Sequence, residues 1–98
     1  MSAVVLFVEL DIAPGQREAF LARAQEHRGN VQENEPDCQS FDISVPENGT
    51  NKVRLYEVYA DQKAFDHHME TEYMKAYRAD TGSMVDNRQL TKAVLVNE

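Results

Sequence analysis

The segment Ala3 to Ile12 constrains the fold more than any other. Val4, Leu6, Val8, Leu10 and Ile12 form an unbroken apolar face at the two-residue period of a strand. The opposite face also starts apolar, with Val5 and Phe7, before turning acidic at Glu9 and Asp11. A strand that is apolar on both sides must be covered on both sides. A chain of 98 residues buries roughly two-thirds of the surface its unfolded form exposes. One layer of helices then covers one side only. The other side requires a second layer, and the expected source is a second copy of the chain joined through the sheet faces.

The remaining pattern supplies the other elements. Pro14-Gly15 ends the strand. From Gln16 to about Glu33 the period becomes helical, with Phe20, Ala24, His27 and Val31 on one stripe and Leu21 widening it. Glu35-Pro36-Asp37 stops that helix, because the residue before a proline avoids the α region. Phe41, Ile43 and Val45 alternate with polar residues as a half-buried strand, and Asn48-Gly49 marks a hairpin. Lys52 to Ala60 returns with Val53, Leu55, Glu57 and Tyr59 facing one way and Arg54, Tyr56 and Val58 the other. Asp61 is the expected N-cap of a second helix carrying Ala64, Phe65, His68 and Met69, and Thr71 restarts it toward Tyr73, Ala76 and Tyr77. Leu90 to Val96 closes as the last strand. The order is β-α-β-β-α-β, an α+β chain of ferredoxin-like type forming a single domain over residues 1–98.

Charge narrows the partners. Ten basic residues stand against 17 acidic ones, a net charge of −7, so nucleic acid and anionic membrane surfaces are repelled. No apolar run approaches the ~20 residues of a membrane-spanning helix. The lone Cys38 has no internal partner, and the first apolar run lacks a positively charged lead. Both features fit a reducing cytoplasm.

Several chemistries find no support. There is no GxxxxGK[ST] or GxGxxG for phosphate, no GxSxG nucleophile, and no HExxH or CxxC spacing for a metal. Neither metal nor organic cofactor is expected. Adjacent His67 and His68 diverge by about 100° on a helix, so they cannot share one site. What remains is a set of polar groups on apolar faces. His27 on the first helix reads as a hydrogen-bonded structural histidine or as a catalytic one. His68, beside Phe65, is open in the same way, and His67 reads as solvated. Glu57 faces inward with Val53, Leu55 and Tyr59, where a carboxylate needs a partner, Arg54 or Arg88 being the candidates. Tyr56, Tyr59, Tyr73 and Tyr77 suit core packing or the lining of a pocket for a planar ligand.

Taken in order, these pieces resemble the antibiotic biosynthesis monooxygenase family of small dimeric α+β barrels. The resemblance rests on His27-Arg28-Gly29-Asn30-Val31-Gln32-Glu33, on Glu35-Pro36-Asp37-Cys38 in place of the family's Glu-Pro-Gly-Cys, and on Phe41-Asp42. It continues through Tyr56-Glu57-Val58-Tyr59, then Asp61, Ala64, Phe65 and His68, then Met74-Lys75-Ala76-Tyr77. The first helix and Phe-Asp pair are similar to the branch that isomerises phosphorylated autoinducer-2. The Met-Lys-Ala-Tyr stretch is similar to the quinol monooxygenase branch. Glu72-Tyr73 stands where the family often has Pro-His.

The resemblance implies a homodimer that oxidises a small aromatic or quinol substrate with O₂ and without flavin, haem or metal. Such a reaction needs a base, a donor for the developing oxyanion and a dry pocket. His68 is the expected base, with Tyr56 and Asn30 as oxygen-holding groups and Phe65, Tyr59 and Tyr77 around the ring. An isomerase of a small, phosphorylated hydroxyketone would use His27, His68 and Asp42 as its acid–base set, with Arg54, Lys75 or Arg78 as anion anchor. A non-catalytic dimeric ligand-binding barrel is the third reading.

Overall fold

The computed structural model describes residues 2–97. The chain runs β1 (Val4–Ile12), α1 (Arg17–Asn34), β2 (Cys38–Ser44), β3 (Lys52–Tyr59), α2 (Gln62–Glu70), α3 (Glu72–Thr81), a 3₁₀ turn (Gly82–Met84) and β4 (Val85–Val94). The strands form one antiparallel sheet in the order β2-β3-β1-β4. This is the ferredoxin-like α+β arrangement, with β1 in the interior of the sheet as its two apolar faces require.

Local chemistry sets the boundaries. The β2–β3 hairpin turns at Gly49, whose φ of 74° is a conformation that glycine adopts without steric cost. The Asp61 carboxylate accepts from the Ala64 amide at 2.8 Å and starts α2. Thr71, itself extended, ends α2 and caps α3 by accepting from the Met74 amide at 3.2 Å. Caps of this kind are each worth about 1 kcal/mol.

The main core lies between the sheet and the helices. The inner face of β1 meets Phe20, Ala24 and Val31 of α1 and Tyr77 of α3, with Phe41, Val53, Leu55 and Tyr59 completing it. On the opposite face of the sheet, Ala3, Val5 and Val58 form a small cluster against Ala93 and Leu95. Beside that cluster Phe7 and Tyr56 stand out, 52% and 38% exposed, with ring centroids 5.4 Å apart.

The last strand departs from expectation. β4 begins at Val85 and ends at Val94, not Leu90 to Val96. Asp86 to Gln89 carry no apolar alternation, yet Asn87, Arg88 and Gln89 pair with Asp11, Leu10 and Glu9 of β1, and Asp86 falls at the register shift beside them. The backbone of β1 supplies the partner, and a polar edge strand resists pairing with strangers. No helix among the described residues is long and apolar enough to cross a membrane.

Candidate functional site

A cavity lies between the inner sheet face and the helices. Leu6 and Val8 of β1 and Leu55 of β3 form its floor, His27 and His68 its helical wall, and its enclosed space is small, about 50 Å³, opening to solvent at its mouth. Glu57, Phe41 and Tyr77 also line it.

His68 is fully buried on α2. Its Nδ1 lies 3.0 Å from both carboxylate oxygens of Glu35. The Tyr73 hydroxyl donates to the same carboxylate, and the Thr71 hydroxyl donates to the His68 carbonyl at 2.9 Å. A carboxylate only accepts, so Nδ1 carries the proton in this pair. Nε2 is then left as the basic nitrogen of a ring that borders the cavity.

His27 is also buried, on α1, but its bonding is the reverse. Neither ring nitrogen has a hydrogen-bond partner among the described residues. Its ring stacks flat on Tyr77, with centroids 4.1 Å apart and planes 5° from parallel, and stands 5.7 Å from the His68 ring. Burial, and secondarily the His68 and Arg23 charges, lower its pKa to about 4. It is therefore a neutral imidazole with a free N–H and a free lone pair.

Glu57 is buried at the floor and accepts from the Tyr59 hydroxyl at 2.6 Å. Burial raises its pKa toward the neutral acid, and the Tyr59 bond only partly offsets this. Burial also pushes the Tyr77 phenol up to about 12 and the Cys38 thiol up to about 11. Cys38 donates to the Ser40 carbonyl and has no thiolate character. No three His, Cys, Asp or Glu side chains converge as a metal-binding group among the described residues.

Of the residues expected from sequence, the fold brings His27, His68, Glu57 and Tyr77 together at the cavity. Tyr59 and Phe65 form a layer behind it. Tyr59 lies 5.0 Å from the His68 ring, and Phe65 meets Tyr59 edge-on at 5.6 Å. Three of the expected residues, Tyr56, Asp42 and Asn30, lie away from the cavity. Tyr56 and Asp42 are opposite one another in the β2–β3 register and both exposed, on the far side of the sheet, because alternation that turns Glu57 inward turns Tyr56 outward. Asn30 is half-buried on α1 away from the cavity, and its carbonyl accepts from the Asn34 amide. Glu57 pairs with neither expected cation; Arg54 instead reaches Glu9 at 2.8 Å on the outer face. His27 is not the hydrogen-bonded structural histidine considered above.

Glu35 is the residue that sequence reasoning passed over. In a Glu-Pro pair it reads as turn chemistry, and its burial arises only when α2 docks 33 residues later. Its place in the Glu35-Pro36-Asp37-Cys38 stretch was the available signal.

A family model described as antibiotic biosynthesis monooxygenase matches residues 3–80. The chain belongs to that family. Solved structures agree on the architecture. A Caulobacter crescentus protein, named provisionally as an antibiotic biosynthesis monooxygenase, superposes with a TM-score of 0.94 at 22% identity, covering 98% of this chain and 92% of its own. A Bacteroides thetaiotaomicron protein named in the same way gives 0.89 at 26% identity, with 96% and 90% covered. A third, from Nitrosomonas europaea, gives 0.90 at 21% identity, with 97% and 91% covered. At such identities the likeness is one of fold. No curated protein matches the chain. The antibiotic biosynthesis monooxygenase match stops before β4, so residues of that strand lie beyond it.

Proposed function

We propose that the protein is a cofactor-independent monooxygenase of the cytoplasm, acting as a homodimer on a small hydroxylated aromatic of quinol type. The observation that carries this reading is a buried, carboxylate-held His68 beside an apolar cavity, next to a histidine whose ring nitrogens are unused.

The roles follow from the geometry. Glu35 fixes the His68 tautomer and orientation, and Nε2 takes the phenolic proton of the bound ring. The neutral His27 offers its N–H to the oxyanion that forms, which needs no charged donor in a dry site. Tyr77 and Phe41 flank the space for the ring. The electrons come from the substrate anion, which transfers them to O₂. A 1,4-diol plus O₂ becomes a hydroxyquinone plus water, so one oxygen atom enters the ring and the other leaves as water.

An isomerase has less support, because Asp42, one of its acid–base candidates, is exposed on the far side of the sheet. The test is oxygen uptake with a panel of quinols, comparing the wild type with His68→Gln. Loss of a positioned general base typically costs 10²–10⁴-fold in rate, and that loss is expected with the melting transition still cooperative. Unchanged oxygen uptake in His68→Gln would refute the assignment. Turnover of a phosphorylated hydroxyketone without oxygen uptake would favour the isomerase.

A further inference from the structure

The cavity has an unusual mouth. Arg78, near the end of α3, and Arg88, in β4, both border it. Every other arginine reaches an oxygen. Arg17 and Arg28 donate to backbone carbonyls, and Arg23 and Arg54 pair with Asp80 and Glu9. Among the described residues, Arg78 and Arg88 have no hydrogen bond or ion pair. Yet the chain carries 17 acidic residues, so counter-charges are plentiful. The two cations also oppose each other. Partial burial, and then the Arg78 charge, lower the Arg88 pKa. Both are exposed, and two unpaired guanidiniums bordering one mouth can receive an oxyanion between them, since each presents a donor fork matched to it.

Behind that mouth the chemistry changes at once. The floor is Leu6, Val8 and Leu55, and the two titratable groups nearest the floor, His27 and Glu57, are both pushed toward their uncharged forms. The interior therefore favours an apolar body, and only the mouth favours charge. The enclosed space is about 50 Å³, less than the roughly 150 Å³ that accepts benzene, so a ring sits across the cavity's opening with only its edge inside.

We infer that the substrate is a hydroxylated aromatic carboxylate, its ring across the opening of the cavity with one edge toward His27 and its carboxylate held between Arg78 and Arg88 at the mouth. This deepens the oxygenase reading and rests on it for the nature of the ring. A carboxylate is preferred to a phosphate because a dianion meets stronger repulsion from the chain's net charge of −7. Arg78 lies within the family match and Arg88, in β4, lies beyond it.

The test is anaerobic binding, which needs no turnover, using the intact protein. The probes are 2,5-dihydroxybenzoate and 1,4-dihydroxybenzene, which differ only in the carboxylate. Titration calorimetry should give the carboxylate probe at least a tenfold lower Kd. Arg78→Gln and Arg88→Gln should each reduce that preference by about three- to tenfold, as partly exposed charge-assisted bonds would. The double variant should abolish it, while Lys63→Gln, the same charge change away from the mouth, should preserve it. Equal affinity for the two probes, no binding of the carboxylate probe at millimolar concentration, or a preference that survives in the double variant would each overturn the inference. So would tighter binding of 2,5-dihydroxyphenyl phosphate. Oxygen uptake separates the two ideas. A retained preference with no uptake on either probe sinks the oxygenase and leaves the clamp, whereas uptake on the diol with no preference does the opposite.

Discussion

The two uncharged groups in the cavity make opposite contributions to stability as pH changes, and single substitutions should separate them. His27 titrates near 4 in the folded protein and near 6.5 in an exposed chain. Between those values the unfolded state binds more protons, so this contribution rises with pH. It is fully present above pH 6.5 and is lost as pH falls toward 4. The gap is about 2.5 units, and at 1.36 kcal/mol per unit it amounts to about 3 kcal/mol. Glu57 works the other way. Its folded pKa lies above the ordinary value of 4.5, so the folded state keeps a proton that the unfolded state releases, and stability falls as pH rises above 4.5. In the wild type the two slopes oppose one another between pH 4.5 and 6.5. Urea denaturation followed by circular dichroism, at fixed protein concentration, should show a shallow dependence there. Glu57→Gln should uncover the His27 slope, with stability climbing by up to about 1.4 kcal/mol per pH unit. His27→Gln should uncover the reverse. If His27→Gln leaves the wild-type slope unchanged, or if the His27 ring protons titrate above pH 6 by NMR, His27 has a partner and the argument fails.

Glu35→Gln keeps the shape but sets an amide against one of two donors, the His68 Nδ1–H or the Tyr73 hydroxyl. An unsatisfied buried group of this kind costs about 1–3 kcal/mol, and at this chain length each kcal/mol moves Tm by about 4–8 °C. The rate with the best quinol should also fall at least tenfold, and a melting shift with an unaltered rate would make Glu35 purely structural. On the outer face, Phe7→Asp should leave each subunit folded, since Phe7 is already half exposed in the single chain, while light scattering reports monomers where the wild type is a dimer. A wild type that is itself monomeric at micromolar concentration would defeat that expectation.

The fold was legible wherever periodicity was local. The stripe Phe20, Ala24, His27 and Val31 is the buried set of α1, and Asp61 and Thr71 cap the helices that their side chains predict. The start of β4 was not legible, because its pairing depends on β1 rather than on its own residues. At the site, both histidines were visible as polar residues on apolar faces. Tyr56, whose role the family resemblance suggested, lies on the outer face, where the alternation already turned it away from Glu57. Glu35 was hidden for a deeper reason: nothing near it in sequence is apolar enough to announce burial, and its partners, His68 and Tyr73, arrive from α2 and α3.

The same pair of suppressed charges has a consequence for gas as well as for pH. Dioxygen is apolar and dissolves better in hydrocarbon than in water, while an ionised side chain recruits hydration and so displaces it. His27 and Glu57 are both pushed toward neutrality by the walls around them, over a floor of leucine and valine. On the oxygenase proposal, such a chamber would favour oxygen beside the ring. A substitution that restores a permanent charge on the floor, such as Leu55→Lys, should then hydrate the chamber and lower oxygen uptake even where the organic substrate still binds.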